Sequence, residues 1–270
     1  MAVPSAAFRD HTGSGGPAGG IDDGECNRFA GSTMGEGAAE LLSFTSITAR
    51  GFDIGQAQIQ RARLLTQDLT SLPGVTVTFD VADLTDRLAE SDASVDLTLC
   101  LYSVLSHLPI IKLPDVATEL ARVTSGHFVT TVRSIGSPPT AFVDSIERVR
   151  RLKHDHVRDL CEIELSGGRS IAYGFHLFAA SELSDHFART FDIEDLRDLD
   201  LVHSRFMPDH RWHPAYRLAD NPISDELIRL EKAQATHPAF IDRATHLLLV
   251  ARSGRLNARD VWPVRCRRID

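Results

Sequence analysis

The stretch GEGAAELLSFTSITARGFDI, residues 35–54, decides how the rest of the chain is read. Gly35 and Gly37 place backbone without side chains directly ahead of Ala38, Leu41, Leu42, Phe44 and Ile47, an apolar spacing that suits one face of a helix. A helix over 38–50 is therefore expected, ended by Gly51. The free amides at its N-terminus would suit a ligand that approaches the backbone. A short strand in GFDIG follows and carries Asp53. Beyond it, QAQIQRARLLTQDL has Ile59, Ala62 and Leu65 at helical spacing, and Pro73-Gly74 turns the chain into VTVTFDV, which alternates as a strand and runs on to Asp83.

Working outward, SVDLTLCLYSVL (94–105) is apolar and β-rich, as for a strand buried on both faces. DVATELARV reads as a helix and HFVTTVRS as another strand. Strands alternating with helices predict a doubly wound, mostly parallel α/β sheet. The rhythm breaks over 137–178. GSPP stops it, AFVDSIERVRRLKHDHVRDL reads as a charged amphipathic helix, and CEIELSGGRSIAYGFHLF reads as a hairpin turned at Gly167-Gly168. Ser181 is the expected N-cap of ELSDHFART, after which FDIEDLRDLDLVHSRF, a helix at DELIRLEKAQ and the strand THLLLVARS close the pattern.

A chain of 270 residues with 43% hydrophobic residues can bury one large core. Residues 1–30 are expected as a flexible Gly-rich leader, 31–253 as the main domain with 137–178 inserted, and 254–270 as a tail. The formal charge of -8 weighs against a nucleic-acid partner. No stretch reaches the roughly 18 apolar residues of a membrane helix, so no membrane partner is expected. Cys26, Cys100, Cys161 and Cys266 form no C-x-x-C pair and suit reduced thiols in a cytoplasm. His203, His210 and His213 with Asp209 match no common ligand spacing, and no metal is expected.

An acid after the second strand can accept both hydroxyls of a ribose, an acid after the third can accept an adenine amine, and glycines at a helix start admit the rest of the ligand. Gly35, Gly37, Asp53 and Asp83 thus outline an adenosine-shaped site. From about Gly31 to Ser253 the chain resembles the class I S-adenosylmethionine-dependent methyltransferases that act on small molecules. GEGAAELL looks like the second half of their glycine loop, GFDIGQAQIQRAR like the second motif and VTFDVADLTD like the third. The resemblance implies Asp53 on the ribose, Ile54 against the adenine, and Asp83 and Leu84 at the adenine edge. VDLTLCLYSVLSHL resembles the fourth strand and its exit, where Cys100, Leu101 and Tyr102 would face the sulfonium and His107 would stand near the transferred methyl.

The same resemblance implies a Rossmann-like sheet of seven strands with an inserted helix-hairpin cap over the acceptor. It implies S-adenosylmethionine as cofactor and in-line methyl transfer to an oxygen or nitrogen of a small molecule, with His107 and Tyr102 as catalytic candidates. The first motif is atypical: in ECNRFAGSTMGEG, Thr33 and Met34 stand where small residues are usual, and Gly31 stands where an acid would be. A methyltransferase-like binding or assembly module with an impaired cofactor site is therefore the alternative. A nicotinamide dehydrogenase would need glycine where Glu40 stands. Plainer roles exist for each residue. Asp83, flanked by Asp80 and Asp86, could cap a turn, Cys100 could be a small buried hydrophobe, and Tyr102 and His107 could be packed core residues.

Overall fold

Parallel neighbours need a crossover, and in both parallel strand pairs among the described residues a helix lies on it. A computed structural model describes residues 46–69, 72–137, 148–201 and 222–254. Within them β1 (Ile47–Asp53), α1 (Gln56–Leu65) and β2 (Val75–Val81) form one βαβ unit, with Ile47 opposite Val75 and Asp53 opposite Val81. A second unit follows in β3 (Val95–Cys100), α2 (Leu113–Val123) and β4 (Thr124–Arg133). Leu113, Val116, Ala117, Leu120 and Val123 recur at helical spacing on α2, and all are buried.

The far side of the sheet is antiparallel. β4 pairs with β9 (His246–Ser253), and β9 pairs with β8 (Phe191–Leu199), giving the orders β2-β1 and β3-β4-β9-β8. Two further helices, α3 (Ala180–Phe187) and α4 (Pro222–Gln234), precede β8 and β9. Phe128 of β4 packs in a cluster with Phe187 of α3 and Phe191 of β8, with centroids 5.0 and 5.1 Å away. The core around them takes in Leu84, Leu88, Cys100, Leu105 and Leu249. Arg122 ties the loop after β2 to α2 by donating to the Leu88 and Glu90 carbonyls and to the Asp92 and Glu119 carboxylates. The chain is a Rossmann-like α/β fold on a mixed sheet.

A separate antiparallel sheet of β5 (Val149–Asp155), β6 (Leu160–Leu165) and β7 (Ser170–Gly174), labelled the cap below, follows β4 in the chain. It has its own small core of Cys161, Ile163, Leu165, Tyr173 and Phe175. Gly168 turns the β6–β7 hairpin at φ 78°, a conformation costly for any residue with a Cβ.

Several expectations are corrected. The helix over 38–50 fails at its end, because Ile47–Arg50 belongs to β1; β-branched Ile47 and Thr48 pair with Val75 and Thr76. The part of that segment before residue 46 lies outside the described residues, as do Gly35 and Gly37. The charged helix after GSPP is the strand β5 where described, so the cap is a three-stranded sheet and not a helix with a hairpin. A register shift between Val149 and Arg151 puts Val149 and Leu152 on the cap core three residues apart, which imitates a helical spacing. Among the described residues the strands pair twice in parallel and twice antiparallel, so the sheet is mixed and not clearly a seven-stranded parallel one. β3 is not buried on both faces, since Leu97 is 52% exposed. Ser181 does not cap α3. The Ala180 amide is instead satisfied by Asp242 Oδ1 at 2.6 Å.

Candidate functional site

In open α/β sheets ligands settle outside the carboxyl ends of the strands, where the strand order reverses. Here β1 pairs with β2 in one sheet and β3 heads the other, so the carboxyl ends of β1 and β3 are the places to look. Asp53 is the last residue of β1 and is 7% exposed. Its Oδ1 accepts the Gly55 amide at 2.7 Å, and its carbonyl accepts the Ala82 amide at 3.1 Å. The carboxylate is thereby fixed against the turn into α1. A Cβ on Gly55 would lie 3.1 Å from Asp53 Oδ1, so the tight turn suits a residue without one.

Asp83 stands two residues past β2, and its Oδ1 accepts both the amide and the hydroxyl of Thr85 at 2.9 Å. This is the turn-capping role anticipated as its plainer reading, so one carboxylate oxygen is engaged locally. Ile54 is 40% exposed beside Asp53, as a flat contact for a ring would require. Leu84 and Cys100 belong to the main core. Burial pushes the Cys100 thiol up to about 12, which makes it an inert packing group. Any ligand contact at these two positions falls to the backbone.

β3 ends in a strained bend. Tyr102 and Ser103 both adopt left-handed backbone, φ 57° and 60°, a state costing of order 1–3 kcal/mol per residue outside glycine. Thr131 of β4 holds the bend: its Oγ1 accepts the Tyr102 amide at 2.9 Å and its carbonyl accepts the Ser103 amide at 3.1 Å. Beyond Leu101 the bend leads into the short 3-10 turn Val104–His107. Such strain concentrates where a fold must aim a residue.

His107 closes that turn and meets the cap. Its ring lies 5.9 Å from that of Tyr173 and 5.0 Å from that of Phe175. Nδ1 is 3.1 Å from the Gly174 carbonyl, which can only accept, so Nδ1 carries the proton and Nε2 the lone pair. Burial drives its pKa down to about 4, against the smaller opposing effect of the Gly174 bond. The imidazole is neutral near pH 7.

Charged residues that the sequence did not single out gather at the same end of β4. Arg133 is buried, and burial lowers its pKa to about 10 although Asp200 opposes the shift. Its Nη1 donates to His246 Nε2 at 3.0 Å, and His246 Nδ1 donates to Asp200 Oδ2 at 3.2 Å. These residues lie at least 46 positions apart in sequence, so no local spacing announces them. Cavities of about 480 Å³, lined by Gly136, Leu201, Gln234, Phe240 and Arg243, and about 250 Å³, around Arg189 and Gly254, include neither Asp53 nor His107 in their walls.

The chain is similar in structure to a protein from Pyrococcus horikoshii OT3, at 15% identity, 81% of this chain, 77% of that one and a TM-score of 0.48. It is also similar to a SAM-dependent methyltransferase from Methanosarcina mazei, at 15% identity, 76% and 82% coverage and a TM-score of 0.47. A third, from Mesorhizobium loti, is an S-adenosylmethionine-dependent methyltransferase at 16% identity, 77% and 80% coverage and a TM-score of 0.43. No curated protein matches the chain. Residues 30–126, from before Gly35 to past α2, match the family described as "Methyltransferase domain". That match falls on the residues that carry the resemblance to the class I S-adenosylmethionine-dependent methyltransferases, so residues 30–126 are similar to a methyltransferase domain.

Proposed function

We propose that the enzyme methylates an oxygen or nitrogen of a small molecule, bound between the carboxyl rim of the sheet and the three-stranded cap. The observation that carries this reading is Asp53, a buried carboxylate at the end of β1. A ribose diol needs an acceptor of that kind at that place. When bound, S-adenosylmethionine supplies a methyl group already activated by its sulfonium. Asp53 holds the sugar, Ile54 lies along the adenine, and Asp83 with the Leu84 backbone borders the ring. The glycines at 35 and 37 complete the proposed set with the Cys100 and Leu101 backbone.

Alignment is the main task of such a site, since well-oriented reactants gain roughly 7–11 kcal/mol over free encounter. Tyr102 and His107 are the proposed acceptor-side residues. The strained bend after β3 aims Tyr102, and the Gly174 carbonyl orients the His107 ring. Its Nε2 lone pair can take the proton of a hydroxyl as the oxygen forms its new bond, or that of an ammonium before the nitrogen attacks. With its pKa depressed, His107 is a weak base, and its contribution is small beside alignment.

In the same reading a seventh strand between β1 and β3 would join the two parallel units into one doubly wound sheet. The negative charge favours a small acceptor over nucleic acid. Among the described residues no helix is long and apolar enough to cross a membrane. Free thiols at Cys100 and Cys161 suit a cytoplasmic setting. The test is incubation with methyl-labelled S-adenosylmethionine and a panel of small phenols, carboxylic acids and amines. Label recovered in a low-molecular-weight product supports the proposal. Label found only in protein or nucleic acid, with none in any small product, contradicts it.

A further inference from the structure

Two hydrogen bonds join the cap to the turn that carries His107. The His107 ring donates to the Gly174 carbonyl at 3.1 Å, and the His176 amide donates to the Ser106 carbonyl at 2.7 Å. They engage neighbouring residues on both sides, 106–107 and 174–176, so the exit of β7 and the turn are laced in register. What fixes that exit is the His176 side chain. Its Nε2 donates to Glu182 Oε1 on α3 at 3.1 Å, and its Nδ1 lies 2.9 Å from Asp159 Oδ2 in the β5–β6 turn of the cap, close but without hydrogen-bond alignment. The ring also stands edge-on to Phe178, 4.5 Å between centroids, in the chain that returns from cap to core.

We infer that His176 is a positioning residue, clamped between a carboxylate of the cap and a carboxylate of the core, which holds the Gly174 carbonyl where it sets the tautomer of His107. Both anchors are themselves placed by backbone contacts. The Asp159 carbonyl accepts the Phe175 amide at 2.7 Å, and Glu182 Oε2 accepts the Ala179 amide at 3.4 Å. His154 adds a third tie to the same stretch, because its Nε2 donates to the Phe175 carbonyl at 2.9 Å. A single imidazole thus spans the two bodies within two residues of the carbonyl that orients His107. The consequence for catalysis rests on reading His107 as the acceptor-side base. The coupling itself does not.

The test is nitrogen-15 NMR of the imidazoles in the full-length protein, comparing wild type with His176→Ala, Asp159→Asn and Glu182→Gln. In the wild type His107 should show the Nδ1–H tautomer alone and titrate near pH 4. In the variants a mixture of tautomers is expected, with the midpoint rising toward the ordinary 6.5. Adding back histidine in place of alanine by reversion should restore the wild-type signals. A merely structural role would lower the melting temperature while leaving the folded-state His107 signals unchanged, and that result overturns the inference. If His176→Ala does not fold, the two amide variants decide by the same signals. Calorimetric binding of S-adenosylhomocysteine should stay within about twofold of wild type in all three. Absence of methyl transfer by the wild type, with the His176-dependent His107 signals as expected, would count against the proposed function and leave the positioning role standing.

Discussion

The central sheet and the cap are built by different means. The sheet buries Phe128, Phe178, Phe187, Leu247 and Leu249 almost completely, so its cohesion comes from apolar area that tolerates many substitutions of similar size. The cap has five buried residues and meets the rim through histidine rings on carbonyls and carboxylates. Apolar packing gives stability without direction. Hydrogen bonds to chosen atoms give direction with little stability each. A cofactor common to a whole family suits the first kind of scaffold, and an acceptor particular to one enzyme suits the second.

This contrast is open to experiment. Phe128→Ala should cost the protein about 3–5 kcal/mol in urea unfolding, because Phe128 is fully buried and the cavity would open against both Phe187 and Phe191. Ile163→Ala, in the cap core, should loosen the amides of β5–β7 in hydrogen exchange while the central sheet stays protected. Equal loss of protection in both sheets would break the division into two bodies.

A smaller effect is expected at Asp198, whose carboxylate oxygens are buried with no hydrogen-bond partner among the described residues. Burial, with Glu231 as a lesser cause, raises its pKa from 3.8 to about 6. The folded state therefore holds the proton more tightly than the unfolded one. Stability from this group is fully present below pH 3.8 and is lost as the pH rises through about 6. Asp198→Asn should stabilise the protein by about 1–2 kcal/mol at pH 7.5, allowing for partial solvent screening, with no gain near pH 4. A gain that does not vary with pH would show that ionisation is not the cause. Smallest is Gly168→Ala, which should cost about 1 kcal/mol at φ 78° and be felt in the cap hairpin alone.

The sequence was most legible where one period dominated. The valines of β2, the stripe on α2 and the Gly-Gly hairpin are local patterns, and each stands where it was expected. It misled where a register shift or strand pairing supplied the decisive contact. Val149 and Leu152 are spaced like a helix only because a bulge intervenes, and Ile47 joins a strand because Val75 pairs with it. At the site, Asp53 was legible from its place at a strand end, and the turn-capping role of Asp83 was one of two readings the residues allowed. The Arg133, His246 and Asp200 group and the His176 clamp could not be read beforehand, because each unites residues from separate elements. Only the folded chain makes them neighbours.

The most direct measurement is calorimetric titration of the folded full-length protein and its Asp53→Asn variant with S-adenosylhomocysteine. Asparagine can still accept the Gly55 amide, so the turn into α1 should survive while the second acceptor for the ribose diol is lost. The wild type is expected to bind one equivalent, and the variant to bind at least tenfold more weakly with unchanged thermal stability. Absence of binding to wild type, or equal affinity in the two proteins, would contradict a cofactor held by its ribose at the end of β1.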